Sequence, residues 1–399
     1  MFKHLLKSLW KRKGKNMMIS AEILLIFVVI FGVVVGIVHN SRLYHQPRGF
    51  DYENRWRVSL EAEAGALDKA DPQLLENFRR SLQAMPEVES LSVIQFAPYS
   101  NSAFVGEFRR AETSQKMSTY FLKADDFSQK TLEIPVASGR WFSQQDEGAH
   151  ENTSLINRRL AKKMFGDEDP LGKLITNSDP EDKEQKFFKV IGVIEDYRYN
   201  GEFMGQENIA ILRHSSLSEP PLSNIVIKVK PGTPRNFEIK LHQQLRLVRN
   251  DIAYDISILS EEREEMLRQK ATFFAPPVLI AAFLLLMVSF GLFGVLWQNV
   301  NSRIPELGLR RAVGASSTQI YGQIVTEQVL LSSLAMAVGM LFLIQLPFTG
   351  IFAKFMDWNS FFVSAGIAMA IIFAVSIICA LYPAWVASRM SPTDALHYE

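Results

Sequence analysis

Few residues of this 399-residue chain have the types and spacing that enzyme chemistry needs. The seven histidines form no H-E-x-x-H or other metal-binding spacing, and no G-x-S-x-G nucleophile motif occurs. The chain also has no G-x-x-x-x-G-K-[ST] loop, whose backbone amides hold nucleotide phosphates. The acidic runs at 125–126, 167–169 and 261–265 are typical of solvated faces. The sequence therefore predicts no catalytic residue, cofactor or metal site in this chain.

The polar residues that stand out lie in one stretch, residues 301–327, between two long apolar runs. We predict that its functional residues are Arg303, Glu306, Gly308, Arg310, Arg311, Gly314 and Ala315. Both charge signs are available to a partner, the glycines permit close backbone approach, and Ala315-Ser316 can cap the helix that follows. The same composition also fits a helix on the membrane surface, with its basic residues toward anionic lipid.

Four apolar runs are long enough to cross a membrane, since about 20 residues span about 30 Å of hydrocarbon. They cover residues 17–38, 274–297, 329–352 and 361–388. The first run is too long for a signal-peptide core and is interpreted as an uncleaved anchor, and its Glu22 either snorkels or faces the helix bundle. The single cysteine, Cys379, lies in the fourth run, which excludes an intramolecular disulfide.

The distribution of basic residues predicts the orientation, because short cytoplasmic segments carry an excess of Lys and Arg. Residues 1–16 contain six of them, and residues 298–328 contain three. The short 353–360 segment has only Lys354, offset by Asp357. We therefore expect residues 1–16, 298–328 and 389–399 in the cytoplasm, and residues 39–273 and 353–360 outside.

The sequence predicts that the large external part is an α+β domain. Residues 41–270 hold 32 Lys and Arg against 36 Asp and Glu, a net charge of −4 without a basic stripe, which argues against nucleic-acid binding. Alternating and helical hydrophobic patterns predict one strand–helix–strand unit over residues 55–96 and another over 224–259. These units bracket a strand-rich lobe at about 98–220, and both helices could cover one face of a shared sheet.

Several motifs resemble the MacB-type, FtsX-like permease family. In the external part they are Ser138-Gly139-Arg140-Trp141-Phe142, the 155–166 run, Asp169-Pro170-Leu171-Gly172-Lys173 and the 190–196 run. In the membrane part they are the 303–327 segment, Tyr382-Pro383-Ala384 and Ser391-Pro392-Thr393-Asp394-Ala395-Leu396. Together they cover nearly the whole chain in the family's order. One departure is Pro305, which precedes Glu306 where the family often has a basic residue.

The resemblance implies a permease subunit of a type VII ABC system in the bacterial inner membrane. Such permeases dimerise with a second copy or a paralogue, and each engages a separate cytoplasmic ATPase, which binds ATP and Mg²⁺. ATP-driven closure reaches the periplasmic domain along stalk helices, a process called mechanotransmission. Here the charged 261–270 segment runs without a breaker into the second span and could form such a stalk, with Pro276-Pro277 as a site for a kink.

The resemblance leaves the transported substrate open. Efflux or lipoprotein handling would call for a periplasmic adaptor or an outer-membrane partner, whereas the alternative, a regulator of an envelope enzyme, would bind that enzyme through the external lobe. A membrane sensor that works without ATP would need neither an ATPase nor an adaptor. If the 303–327 segment docks an ATPase, reversing Arg310 and Arg311 to Glu should uncouple a protein that still inserts and folds.

Overall fold

The structure is a computed structural model that describes residues 13–61, 73–100, 102–147, 151–179, 185–215, 219, 222–350, 352 and 355–389. Most of the basic N-terminal segment, Lys354, part of the polar 176–186 segment and the 390–399 tail lie outside the described residues. The chain divides into two compact units. The external unit is Leu43–Lys270, and the membrane unit combines the parts of the chain before and after it.

The described residues form ten α-helices and eleven strands. The helices are α1 Lys13–Tyr44, α2 Leu74–Gln83, α3 Ser128–Leu132, α4 Arg158–Phe165, α5 Phe237–Val248, α6 Leu259–Asn301, α7 Ile304–Ala312, α8 Ser317–Leu343, α9 Gln345–Thr349 and α10 Trp358–Arg389. The strands are β1 Arg55–Glu61, β2 Val88–Ile94, β3 Phe104–Arg110, β4 Met117–Ala124, β5 Val136–Gly139, β6 Asn152–Asn157, β7 Leu174–Thr176, β8 Phe187–Ile194, β9 Ile209–Arg213, β10 Asn224–Val229 and β11 Ala253–Ile258.

Four helices are long and apolar enough to cross a membrane: α1, α6, α8 and α10. They share one apolar core, in which Phe27 of α1 and Phe361 of α10 are fully buried. α10 presents small residues to this core, including Ala368 and Ala380, and small residues allow close helix packing in lipid. The prediction of an α-helical membrane protein with four spans and an external α+β domain is confirmed.

The helices extend beyond the apolar runs that mark them. α6 begins at Leu259 and ends at Asn301, and it remains one helix through Pro276 and Pro277. α8 begins at Ser317, although its apolar run starts only at residue 329. The 317–328 segment is more polar than the run that follows it, but it contains no proline, and Ser316 caps the helix that it begins.

The first layer of the external unit is an antiparallel sheet in the order β11-β1-β10-β2. Its two strand–helix–strand units, β1-α2-β2 and β10-α5-β11, place both helices on one face. The shared core contains Phe78 and Leu82 from α2, Leu241 from α5, and the inward-facing Trp56 and Val58 of β1. The predicted arrangement of the two units is therefore confirmed.

The inserted lobe is a closed six-stranded barrel. Its strands follow the order β4-β3-β7-β8-β6-β9, and parallel pairing of β9 with β4 closes the ring. β5 pairs with the end of β8 that β7 leaves free. The barrel meets the first layer where Ile94 of β2 pairs with Ala124 of β4. Periodicity did not predict β3, β5 or β7, because they are short or interrupted by glycine and charged residues.

Candidate functional site

The 301–327 stretch forms a short helix, α7, that connects two membrane helices. One face of α7 is buried, with Ile304, Leu307 and Gly308 turned inward. Leu307 belongs to a small core shared with α6, α8 and α10. Pro305 lies in the first turn, where a missing backbone N–H costs no helical hydrogen bond. The proline that departs from the family pattern is thus accommodated within the helix.

A chain of polar contacts fixes the other side of α7 to the first turns of α8. Arg303 forms an ion pair with Glu327, and both side chains are 13% exposed. Gln323 donates to Glu327 Oε1 at 3.0 Å and accepts from Arg310 Nη1 at 2.8 Å. Arg310 Nη2 also donates to Glu306 Oε1 at 2.8 Å. Both charge signs predicted for docking are therefore also engaged in holding the segment together.

The turn between α7 and α8 has defined geometry. Gly314 has φ of 107°, a left-handed conformation that favours glycine, and the space around its Cβ position is open. The Ala315 amide donates to the Arg310 carbonyl at 3.0 Å. Ser316 then caps α8: its side chain accepts from the Gln319 amide at 3.2 Å, while the Gln319 side chain accepts from the Ser316 amide at 2.9 Å.

Two apolar residues that sequence reasoning passed over form the exposed tip of this segment. Leu309 is 58% exposed and Val313 is 84% exposed. Leu309 lies in the last turn of α7, and Val313 is the residue that follows the helix. Glu306 is exposed as well, while Arg310 and Arg311 are half-buried. The available sequence signal was the pair of apolar residues, Leu309 and Val313, on either side of the polar Arg310-Arg311.

Other candidate sites offer less chemistry. Within the described residues, no group of His, Cys, Asp or Glu could hold a metal ion. One prediction about acidic runs was wrong, because Asp125 is buried and accepts hydrogen bonds from Arg79 and the Val93 amide. Burial raises the pKa of Asp125 despite the ion pair with Arg79. In the membrane unit, Cys379 Sγ lies 3.4 Å from the Ser289 carbonyl and serves packing.

The comparisons with known proteins identify the class to which this membrane protein belongs, a membrane permease. The model of the MacB-like periplasmic core domain matches residues 24–236, and the chain belongs to that family. The FtsX-like permease C-terminal model matches residues 278–392, which include α7. The predicted family is therefore confirmed. Both matched domains are permease domains, and neither is an ATPase domain.

Two curated relatives illustrate the match. The macrolide export ATP-binding/permease protein MacB of Marinobacter nauticus is 25% identical over 363 residues, which is 89% of this chain and 52% of the relative. The pyoverdine export ATP-binding/permease protein PvdT of Pseudomonas syringae pv. tomato is 26% identical over 275 residues, 66% of this chain and 40% of the relative. The chain thus spans about half or less of these relatives' length.

Solved structures are more distant. The periplasmic region of MacB from Actinobacillus actinomycetemcomitans is 13% identical, with a TM-score of 0.39 over 56% of this chain and 97% of that one. The extracellular domain of the ABC-type transporter YknZ from Gram-positive bacteria is 15% identical, with a TM-score of 0.36 over 51% of this chain and 100% of that one.

Proposed function

We propose that this chain is the permease subunit of a MacB/FtsX-like ABC system and that α7 is the element that engages a separate cytoplasmic ATPase. The ATPase binds ATP and Mg²⁺, and its motion passes through α7 to the membrane helices and the external unit. The two family matches support the class of protein. We place the chain in the bacterial inner membrane. The excess of Lys and Arg in residues 1–16 and in the segment that contains α7 favours the cytoplasmic side for both, and four spans would return the C-terminus to that side.

The observation that carries the proposal is how α7 is held. Its inner face packs on α8 and α10, and its polar side is tied to α8 through Arg303–Glu327 and Arg310–Gln323. A force applied to α7 would therefore reach the spans without being lost in a flexible loop. Leu309 and Val313 remain exposed, and burying either side chain against a partner would contribute about 1.5–3 kcal/mol.

The proposed partners follow from the same features. The curated relatives named for export favour efflux or the handling of an envelope substrate over regulation of an enzyme. We place a second copy or a paralogue against α6, whose apolar stretch is the least buried of the four spans in the described part of the chain. A periplasmic adaptor or an outer-membrane partner would bind the external unit.

The test replaces the apolar tip. Val313→Asp and Leu309→Asp place a charge where an apolar anchor should enter the ATPase, and we expect ATPase recovery to fall roughly tenfold or more. The full chain is purified from its own membranes in mild detergent, and bound subunits are quantified by mass spectrometry. Thr318→Asp is the matched control, because it adds the same charge to an exposed site at a helix N-terminus, where it is tolerated.

The outcome is decisive in both directions. An ATPase subunit recovered with the natural chain and with Thr318→Asp, but lost with Val313→Asp, supports docking through the tip of α7. Recovery of the ATPase at full stoichiometry with both tip variants would contradict it. These variants are cleaner than reversal of Arg310, because Arg310 also holds Glu306 and Gln323 within the chain.

A further inference from the structure

The loop between β8 and β9, residues 196–204, binds two distant parts of the external unit at once. One part is the 43–50 segment, which continues directly from α1. The other is the start of α6, residues 259–266, which continues into the second span. Each contact described below lies within the external unit. No motif in the sequence marks this loop as functional.

Arg198 holds the first of these parts. Its side chain is fully buried, and its guanidinium donates to the carbonyls of Leu43 at 2.9 Å and Gln46 at 3.0 Å, and through Nε to Met204 at 2.8 Å. The Arg198 amide also donates to the Arg48 carbonyl at 2.8 Å. Residues 43–48 are therefore fixed to the loop through their backbone.

Glu202 joins both parts through one oxygen. Its side chain is 3% exposed, and Oε1 accepts from Arg48 Nη1 at 2.9 Å and from Arg263 Nε of α6. The Tyr52 ring lies against both guanidiniums, 4.5 Å from Arg48 Cζ and 5.0 Å from Arg263 Cζ. Two cations thus converge on a single buried carboxylate, and its removal would leave both without their shared counter-charge.

Two glycines allow the close approach. Gly49 has φ of 81°, and a Cβ there would lie 1.5 Å from the Asp196 carbonyl oxygen. Gly201 has φ of 79°, and its Cβ would lie 2.4 Å from Cε of Met266 on α6. Gly49 therefore contacts the backbone of the loop at a distance that excludes a side chain, and a Cβ at Gly201 would require Met266 or the Tyr99 ring to move.

We propose that the 196–204 loop is a positioning element that fixes the position of the 43–50 segment relative to the start of α6. Glu202 is the residue that binds both, and we call this contact the shared tie. The inference rests on the proposed function for its consequence: motion of the second span would be transmitted to the barrel together with the first. The tie itself is a property of the isolated chain and needs no ATPase.

The primary test is hydrogen–deuterium exchange of the full chain in detergent. Glu202→Gln keeps the side-chain shape but removes the charge, and we expect amide exchange to rise roughly tenfold in both 43–50 and 259–266. Glu112→Gln, at a side chain 81% exposed, is the control and should change neither segment. A rise in only one segment, or in neither, would overturn the shared tie.

A steric pair of variants tests the same point independently of charge. Gly201→Ala pushes a methyl group against Met266 and should raise exchange at 259–266, whereas Gly205→Ala, in the same stretch but with open space around it, should not. Met266→Ala combined with Gly201→Ala should restore protection of α6 to within about twofold, leaving the contact with the Tyr99 ring and the local strain at residue 201. If the double variant does not restore protection, the effect of Gly201→Ala does not come from its contact with Met266.

The two proposals fail separately. If the ATPase does not bind α7 but the exchange results hold, the loop is a structural tie in a protein with another function. If the ATPase binds and Glu202→Gln changes neither segment, the permease proposal stands and the positioning role is wrong.

Discussion

At the residue scale, the external unit contains a carboxylate, that of Glu219, whose pKa is strongly lowered. His214 Nδ1 lies 3.0 Å from Oε2 of Glu219, and Lys123 donates to the other oxygen. Burial alone would raise the pKa of Glu219, but the hydrogen bonds from His214 and Lys123 outweigh it and lower the pKa from 4.5 to about 2. The charged form of Glu219 is therefore favoured in the folded protein.

This shift predicts a pH dependence of stability. Because the folded pKa lies below the unfolded one, the contribution of Glu219 is complete above pH 4.5 and is lost as the pH falls toward 2. Glu219→Gln should lower the melting temperature at pH 6, and the deficit should shrink on acidification through that window. Thermal unfolding of the purified chain at several pH values measures this, with Glu112→Gln as the control. A deficit that stays constant from pH 6 to pH 3 would contradict the assignment.

At the element scale, the pairing of α7 with α8 depends on opposite charges in a largely buried setting. Arg303 and Glu327 are each 13% exposed, so one reversed charge would face a like charge with little solvent to screen it.

We therefore expect Arg303→Glu and Glu327→Arg each to destabilise the α7–α8 contact by about 3 kcal/mol. The double exchange should recover at least half of the loss, because it restores the pair with reversed polarity. Amide exchange of residues 304–312 measures the contact, and the exposed pair Lys162–Asp167 supplies a matched exchange that should have no effect there. Additive effects of the two single variants would show that the pair does not join the helices.

At the scale of the whole molecule, the proposed orientation can be tested by cysteine labelling. Cys379 is buried, and Cys379→Ser gives a background in which single cysteines report exposure. A cysteine at Val313 should react with an impermeant maleimide only after the cytoplasmic membrane is opened, and one at Glu112 should react once the outer envelope is permeable. Both sites are well exposed, so access depends on the side of the membrane. The reverse labelling pattern would invert the topology and exclude α7 as a cytoplasmic docking element.

Local patterns were sufficient to predict much of this protein. Four long apolar runs specify spans because lipid leaves the backbone no hydrogen-bonding partner other than itself. Alternating and helical hydrophobic patterns predicted the two strand–helix–strand units, and the capping signal Ser316 predicted the start of α8. The motifs that resemble the permease family lie in these same segments. Each of these features depends on neighbours in the chain, which a sequence displays directly.

Contacts between distant residues were decided only by the tertiary structure. Closure of the barrel requires β9 to pair with β4, and the glycine-containing β3 and β5 become strands because partners supply their hydrogen bonds. The sequence predicts a solvated Asp125, whereas the structure buries it beside Arg79. Glu202 forms ion pairs with Arg48 and Arg263, which are far apart in sequence, and no local sequence pattern predicts these contacts. Sequence alone determined the class of protein and its membrane spans, because these depend on local composition. Packing determined the remaining strands, which side chains are buried and which, like Val313, stay exposed.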